Sequence, residues 1–210
     1  TRILYERGVD LVEGRQDPRA ASAIEATYLR PAPGSSDRGL AGAYYRGRSF
    51  EGEPVYTRVD PKVEFRWDRG APTDEAVTRG ELPADRGLAG DAFSIRWSGV
   101  LVPPVSGEYE LVVTANDGAR LLVDGRSVLD AWSETSVARA TSARVALEAG
   151  REHAVTLEYF EGERDAEVRL GWRLPRSESP VDAAVAAARA ADVVVFVGGL
   201  TAEVEGEEMR

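Results

Sequence analysis

The sequence predicts a mostly β protein, in which an antiparallel β-sandwich or barrel is inserted into a partial α/β domain with a parallel sheet. Short runs of alternating apolar and polar residues recur at roughly ten-residue spacing, with turn-forming residues between them. The flanks differ from this pattern. Near the end of the chain an alanine-rich segment precedes a continuous apolar run, which is typical of a strand in a parallel sheet.

The stretch 107–132 carries the clearest β pattern. Residues 109–113 alternate between apolar and polar positions, so one face of this strand is expected to point inward. Asn116, Asp117 and Gly118 then supply turn chemistry, because Asn and Asp side chains bond their own backbone and Gly tolerates positive φ. Asp124-Gly125 between two apolar runs predicts a two-residue β-hairpin turn.

Other alternating or apolar runs predict strands at 40–45, 63–67, 93–97, 137–147, 155–159 and 166–172. Alternation also predicts that Trp97 and Trp172 pack in the core. Residues 68–90 are rich in Gly, Pro and Asp and predict a long loop, and loops of that length are usually functional or mobile.

The two flanks predict one βαβ unit whose crossover is interrupted by the β module. A short strand is expected at 3–5, a helix at 180–191 and a strand buried on both faces at 193–197. A further short helix is expected at 17–24. The predicted division is therefore the first strand and linker of an α/β sandwich domain (1–37), an inserted β-sandwich (38–175) and the helix, strand and glutamate-rich loop of the α/β domain (176–210).

Composition excludes several classes of function. The formal net charge of −10 argues against nucleic acid or an anionic membrane surface as a partner. The chain has no cysteine, which excludes disulfides and thiolate metal sites. His153 is the only histidine and is predicted to be a surface residue. No apolar run is long enough to span a bilayer, and both ends suggest a piece of a longer polypeptide, so the compartment stays open.

The loop 198–210 follows the predicted parallel strand, and α/β sheets bind ligands at the carboxyl ends of such strands. Its glutamates between 203 and 208 could supply a general acid whose pKa is raised by burial or by like charges. The alternative is a solvated acidic loop without a catalytic role.

Three segments resemble two known families. The run AAVAAARAADVVVFVGGLTAEVEGEEMR at 183–210 is similar to the start of the C-terminal α/β sandwich domain of glycoside hydrolase family 3, and ILYERGVDLVEG at 3–14 resembles the first strand of that domain. The run NDGARLLVDGRSVLDAW at 116–132 resembles the protective-antigen-type β-sandwich, the "PA-fourteen" domain. Many family 3 β-glucosidases carry this sandwich at the corresponding place.

The resemblance implies part of a retaining β-glycosidase of the β-glucosidase type, acting on oligosaccharides or β-glucosides with terminal β-linked sugars. Such enzymes use an aspartate nucleophile and a glutamate acid/base about 5 Å apart. The nucleophile would come from an upstream (β/α)8 barrel, so this chain alone is expected to be inactive. The acid/base would be Glu203 or Glu205. The family's Asp-Arg pair is replaced here by Met209-Arg210, and Arg210 is expected to contact substrate.

The inserted sandwich is expected to shape substrate access, with 68–90 as a candidate lid. The alternatives are a carbohydrate-binding module that captures glycan itself and a purely structural spacer. In related fungal adhesins two adjacent aspartates bind Ca²⁺, which then chelates sugar hydroxyls, and the matching positions here are Asn116 and Asp117. No other cofactor is expected. Asp130 and Trp132 could contact sugar, although Trp132 could equally pack in the core.

Overall fold

The computed structural model describes residues 21–175, 185, 187–191 and 193–195. Its elements in chain order are β1 (Ser22–Ala23), β2 (Leu29–Arg30), β3 (Leu40–Arg46), β4 (Tyr56–Asp60), β5 (Glu64–Asp68), α1 (Asp74–Thr78), β6 (Phe93–Leu101), β7 (Gly107–Asn116), β8 (Gly118–Val123), β9 (Arg126–Ala131), β10 (Arg139–Leu147), β11 (His153–Glu161) and β12 (Ala166–Arg173). Short 3-10 turns lie at Ala26–Tyr28 and Ala84–Arg86.

The strands form two antiparallel sheets, which confirms the predicted β-sandwich. In the five-stranded sheet, β7 lies between β10 and β12, and β12 pairs on its other side with β1 and β5. The seven-stranded sheet has the order β4-β3-β6-β11-β8-β9, and β2 pairs with the end of β6. Residues Pro18–Pro175 make one compact unit.

The core lies between the sheets and is rich in aromatic side chains. The largest fully buried side chains include Trp97, Tyr44, Tyr109, Tyr159 and Phe93. Trp97 and Trp172 belong to this core, as their alternation predicted. Aromatic side chains bury large apolar areas, so these residues dominate the free energy gained by closing the sandwich.

The turn between β8 and β9 is the predicted two-residue hairpin. Asp124 has φ +48° and Gly125 has φ +76°, so both central residues are left-handed, as a type I′ turn requires. Glycine adopts this conformation at little cost and aspartate tolerates it better than most residues.

Residues 68–90 are not the uninterrupted loop that composition predicted. The segment contains α1 and a 3-10 turn, and its apolar side chains Ala76, Leu82 and Leu88 are buried. The Thr73 hydroxyl oxygen accepts a hydrogen bond from the Leu88 backbone N–H at 2.8 Å. Spaced apolar residues therefore pack this Gly- and Pro-rich segment against the protein.

The helix predicted at 17–24 is wrong where the structure describes it. Ser22–Ala23 forms strand β1 and pairs with Trp172 and Gly171 of β12. Alanine favours a helix, but intrinsic preference is small compared with tertiary contacts, and pairing with a sheet edge overrides it here. Because β1 and β2 already belong to the sheets, the sandwich begins before residue 38, while the three-part division of the chain stays a prediction.

His153 is not a surface residue. Its side chain is 3% exposed, and Nδ1 lies 2.9 Å from an oxygen of Asp124. Its Nε2 accepts a hydrogen bond from the Glu148 backbone N–H at 3.0 Å, which leaves the proton of a neutral ring on Nδ1. The charged neighbours in the sequence suggested exposure, but the strand register turns this side chain inward.

Beyond Pro175 the structure describes only short pieces. Residues 185 and 187–189 are helical, in agreement with the predicted helix at 180–191. Val193, Val194 and Val195 are exposed and outside any strand, which differs from the expected strand with two buried faces. An apolar run becomes such a strand only beside partner strands, and the described residues provide none for it. The strand predicted at 3–5 lies outside the described residues.

No helix in the described part of the chain has the length and apolarity needed to cross a membrane.

Candidate functional site

Asn116 and Asp117 tie three loops together at one end of the sandwich. The Asp117 carboxylate accepts hydrogen bonds from the backbone N–H groups of Thr135, at 2.6 Å, and Gly162, at 2.8 Å. Asn116 donates from Nδ2 to the Asp165 carbonyl at 2.7 Å, and its Oδ1 accepts from the Thr135 hydroxyl at 3.2 Å. Both residues are buried and are joined by a cis peptide bond. We call the pair and these four bonds the loop clamp.

An aromatic cluster lies on the outer face of the seven-stranded sheet beside the loop clamp. The half-buried Trp132 ring lies 4.7 Å from Phe160 and 5.8 Å from Phe50, between ring centroids, and Phe50 lies 5.7 Å from Tyr45. Gly118 makes room for the cluster, because a Cβ there would lie 2.2 Å from the Phe160 ring. Trp132 therefore packs in this outer cluster and not in the core between the sheets.

A row of charged side chains crosses the same outer face. Cross-strand pairing aligns Arg96, Glu158, Arg120 and Asp130 on β6, β11, β8 and β9. One Glu158 oxygen accepts from Arg96 at 2.7 Å and the other accepts from Arg120 at 2.6 Å. Glu158 is thus held between two cations, which compensates its partial burial.

The two arginines also cover the aromatic cluster. The Arg96 guanidinium lies 4.4 Å from the Phe50 centroid, and that of Arg120 lies 4.2 Å from the Trp132 centroid. The exposed Asp130 accepts a hydrogen bond from the Trp132 backbone N–H at 3.3 Å. Planar apolar surface and polar groups thus lie next to each other, a combination suited to sugar rings, which present apolar faces and hydroxyl edges.

Glu161, at the end of β11, is the functional candidate that sequence reasoning missed. It is 0% exposed, and one of its oxygens has no hydrogen-bond partner among the described residues. The other oxygen lies 3.1 Å from the Tyr159 hydroxyl. Burial, followed by the charge of Asp117, raises the pKa of Glu161 to about 8. The inward alternation of residues 155, 157 and 159 continues to 161 and could have revealed it.

The side-chain oxygens of the clamp are engaged by the neighbouring loops. Asn116 Oδ1 and both Asp117 oxygens already accept hydrogen bonds from the loops. Within the described ranges, no three His, Cys, Asp or Glu side chains come together as a group that could hold a metal ion. In this structure Asn116 and Asp117 hold the loops, and a role of this pair in binding Ca²⁺ stays a prediction.

The remaining predicted site residues divide into two groups. Asn116 and Asp117 form the clamp itself. Trp132 lies beside the clamp, because it begins the loop that carries Thr135, and Asp130 is separated from that loop by one strand residue. Glu203, Glu205 and Arg210 lie outside the described residues, so their roles stay predictions.

Comparison with known proteins identifies the family of the sandwich. A protein-family model described as the PA14 domain matches residues 36–186. The anti-sigma-I factor RsgI3 of Acetivibrio thermocellus is 33% identical over 134 residues, which are 64% of this chain and 19% of that protein. A β-glucosidase of Rhizobium radiobacter is 31% identical over 179 residues, covering 78% of this chain and 20% of that enzyme. The chain thus spans about a fifth of the length of these relatives.

Solved structures share the fold. An anti-sigma factor domain-containing protein has a TM-score of 0.57 at 31% identity, covering 67% of this chain and 44% of that one. The β-glucosidase of Kluyveromyces marxianus in complex with glucose has a TM-score of 0.56 at 14% identity, covering 82% of this chain and 20% of that one. The second likeness concerns the fold alone.

Proposed function

This chain belongs to the PA14 domain family, and we propose that it is the carbohydrate-contacting accessory domain of a retaining β-glycosidase. The supporting observation is the 31% identity to a β-glucosidase across 78% of the chain, a larger share than the 64% aligned with the anti-sigma factor. The parent enzyme would belong to glycoside hydrolase family 3 and hydrolyse terminal β-linked sugars. Its upstream (β/α)8 barrel would supply the aspartate nucleophile.

The acid/base of that enzyme is proposed to be Glu203 or Glu205. In a retaining mechanism this residue protonates the leaving oxygen and later activates water. Replacing each in turn by alanine in the full-length protein tests the assignment. The acid/base variant should lose about 100- to 10,000-fold in rate on substrates with poor leaving groups and much less on activated ones. Equal losses on both substrate types would contradict this role.

The sandwich is proposed to act at the entrance to the active site, through the loop clamp and the aromatic cluster. This role rests on the half-buried Trp132 beside polar loop groups. Replacing residues 18–175 in the full-length enzyme by a short linker should change the ratio of kcat/KM between long and short β-glucosides. If the shortened enzyme stays folded and keeps its chain-length preference, the sandwich does not control access.

A second candidate is a carbohydrate-binding module that captures glycan without help from an active site. The supporting observation is the packing of Phe50 and Trp132 against arginines on an outer face. Calorimetric titration of the 210-residue chain with β-glucosides tests it. Trp132→Ala should weaken binding about tenfold or more, as for a central aromatic contact. Val137→Ala, at a 61% exposed position of the same loop, is the control.

Binding to the wild-type chain is expected to be independent of Ca²⁺, because Asn116 stands where the adhesins have the first of two adjacent aspartates, and one negative charge is lost. Binding seen only with Ca²⁺ would favour the adhesin-like mode. If the wild-type chain binds no β-glucoside under either condition, the capture role is excluded and the access role in the parent enzyme remains.

A further inference from the structure

Glu161 is surrounded by groups that do not neutralise a negative charge. Desolvation and the negative charges of nearby carboxylates both oppose its ionisation. The titratable and charged groups that face it or lie beside it are Tyr159 on β11, Asp117 in the β7–β8 turn, Asp165 in the β11–β12 loop, Asp91 before β6, and Arg48, whose guanidinium lies beside Gly162. Arg48 is engaged by Glu134 on the neighbouring loop.

Hydrogen-bond counting around Tyr159 bears on where the Glu161 proton lies. The Tyr159 hydroxyl has one hydrogen and lies within hydrogen-bonding distance of two oxygens, the Asn116 carbonyl and a Glu161 carboxyl oxygen. The Glu167 backbone N–H donates to the hydroxyl oxygen and needs no hydrogen from it. The carbonyl can only accept. If Tyr159 donates to Asn116, its contact with Glu161 is a hydrogen bond only when Glu161 is the donor, and a carboxyl group donates only when it is protonated.

We propose that Glu161 is a positioning residue that keeps its proton in the folded domain and donates it to the Tyr159 hydroxyl. Tyr159 then donates to the Asn116 carbonyl and holds the loop clamp in place. The chain of donors runs from a buried carboxylic acid, through a buried phenol, to the backbone of the turn that binds the Thr135 and Gly162 loops.

Loss of the proton reverses this chain. An ionised Glu161 can only accept, so it competes for the single Tyr159 hydrogen and leaves the Asn116 carbonyl without its donor. A new buried charge would also face the Asp117 carboxylate. The clamp should then loosen. Glycan binding should weaken as the pH rises, an expectation that rests on the proposed carbohydrate contact.

A cation is the other way to compensate a buried carboxylate. Among the described residues, no three His, Cys, Asp or Glu side chains come together as a group that could hold a metal ion. A proton is therefore the compensation that the geometry favours, and calcium provides an outcome that can overturn the proposal.

Thermal unfolding of the 210-residue chain from about pH 4.5 to 9 tests the proposal. Glu161 has an ordinary pKa of 4.5 and a raised pKa of about 8 in the folded state, so the folded state binds the extra proton between these values. Its stabilising effect is complete below 4.5, falls as the pH rises and is lost above about 8. Between about pH 4.5 and 9, the Tm of the wild type should therefore fall by at least about 3 °C more than the Tm of Glu161→Gln, because the glutamine cannot ionise.

Glu163→Gln is the matched control, because Glu163 is exposed two positions away. Its Tm should follow the wild type at every pH. Parallel curves for the wild type and Glu161→Gln would overturn the proposal. A second outcome would also overturn it. If millimolar Ca²⁺ raised the Tm of the wild type at about pH 8 but not that of Glu161→Gln, a cation and not a proton would compensate Glu161.

Two further measurements keep the test decisive. If Glu161→Gln does not fold, infrared spectra of the wild type at about pH 6.5 should show the carbonyl band of a protonated carboxylic acid, which ordinary glutamates lack at that pH. Its absence would overturn the proposal.

Where β-glucoside binding is measurable, its loss with rising pH should occur in the wild type and not in Glu161→Gln. Absence of binding at every pH would exclude glycan capture by this chain and leave the Tm test unaffected.

Discussion

Asp60 and Glu161 are two buried carboxylates of one sandwich with opposite surroundings. Asp60 is 2% exposed and Glu161 is 0% exposed, and each lies beside a buried tyrosine hydroxyl. One Asp60 oxygen accepts from Tyr44 at 2.6 Å and from Trp97 Nε1 at 2.7 Å, and the other accepts from Arg58 at 2.6 Å. Glu161 has a single tyrosine partner, one oxygen without a partner among the described residues, and acidic neighbours.

The difference separates a structural carboxylate from a functional candidate. A buried charge is tolerated when a cation and several donors replace its lost hydration, as around Asp60. Gly42 contributes to that site, because a Cβ there would lie 2.6 Å from an Asp60 oxygen. An acid without such partners keeps its proton instead, and Glu161 lies where the proposed carbohydrate-contacting loops meet.

The largest expected effect tests the structural member of this pair. Asp60→Ala should lower the free energy of unfolding by about 3 to 5 kcal/mol, because it leaves Arg58, Tyr44 and Trp97 without their buried acceptor. Urea denaturation measures it, and Asp37→Ala, at an exposed position, is the control. A loss below about 1 kcal/mol would mean that water readily replaces the carboxylate, and Asp60 would lose its structural role.

An intermediate effect compares the two tyrosines directly. Tyr44→Phe should cost about 1.5 to 3 kcal/mol, because its hydroxyl donates to a carboxylate that is paired with Arg58. Tyr159→Phe should cost about 0.5 to 1.5 kcal/mol near pH 6, because its partners are a carbonyl and a neutral acid. Urea titrations of both variants at about pH 6 give the comparison. Equal costs would argue that Glu161 is ionised there, which the proton assignment forbids.

The smallest expected effect concerns Arg48, whose guanidinium lies beside Gly162 near the loop clamp. Arg48 pairs with Glu134, and their side chains are 45% and 68% exposed. Exposed ion pairs contribute little, so Arg48→Gln should change the free energy of unfolding by less than about 1 kcal/mol. A larger loss, measured by urea denaturation in low salt, would show that Arg48 compensates the charge near Asp117 and would weaken the contrast with Asp60.

Local sequence patterns were sufficient for the β-sandwich and for its hairpin. Alternation identified the strands around Trp97 and Trp172, and Asp124-Gly125 identified a turn whose backbone both residues can adopt. These features depend on neighbours along the chain. Of the candidate site, local chemistry identified Asn116 and Asp117 as turn residues and Trp132 as a neighbour of the same end.

Long-range pairing decided the rest. Ser22–Ala23 became a strand because an edge of β12 was available, and the same kind of register turned His153 inward. Residues 47–55, which carry Phe50, and the loop 132–138 meet only because their flanking strands belong to one sheet.

The sequence by itself therefore determined the fold class, the turn at Asp124-Gly125 and the position of Asn116 and Asp117 between two strands. Only the tertiary structure decided which acids are buried and what surrounds them. Asp60 and Glu161 are each the last residue of a strand, but a cation lies beside Asp60 and carboxylates lie beside Glu161. Electrostatic surroundings depend on distances in space, and strand register, set by the whole sandwich, determines those distances.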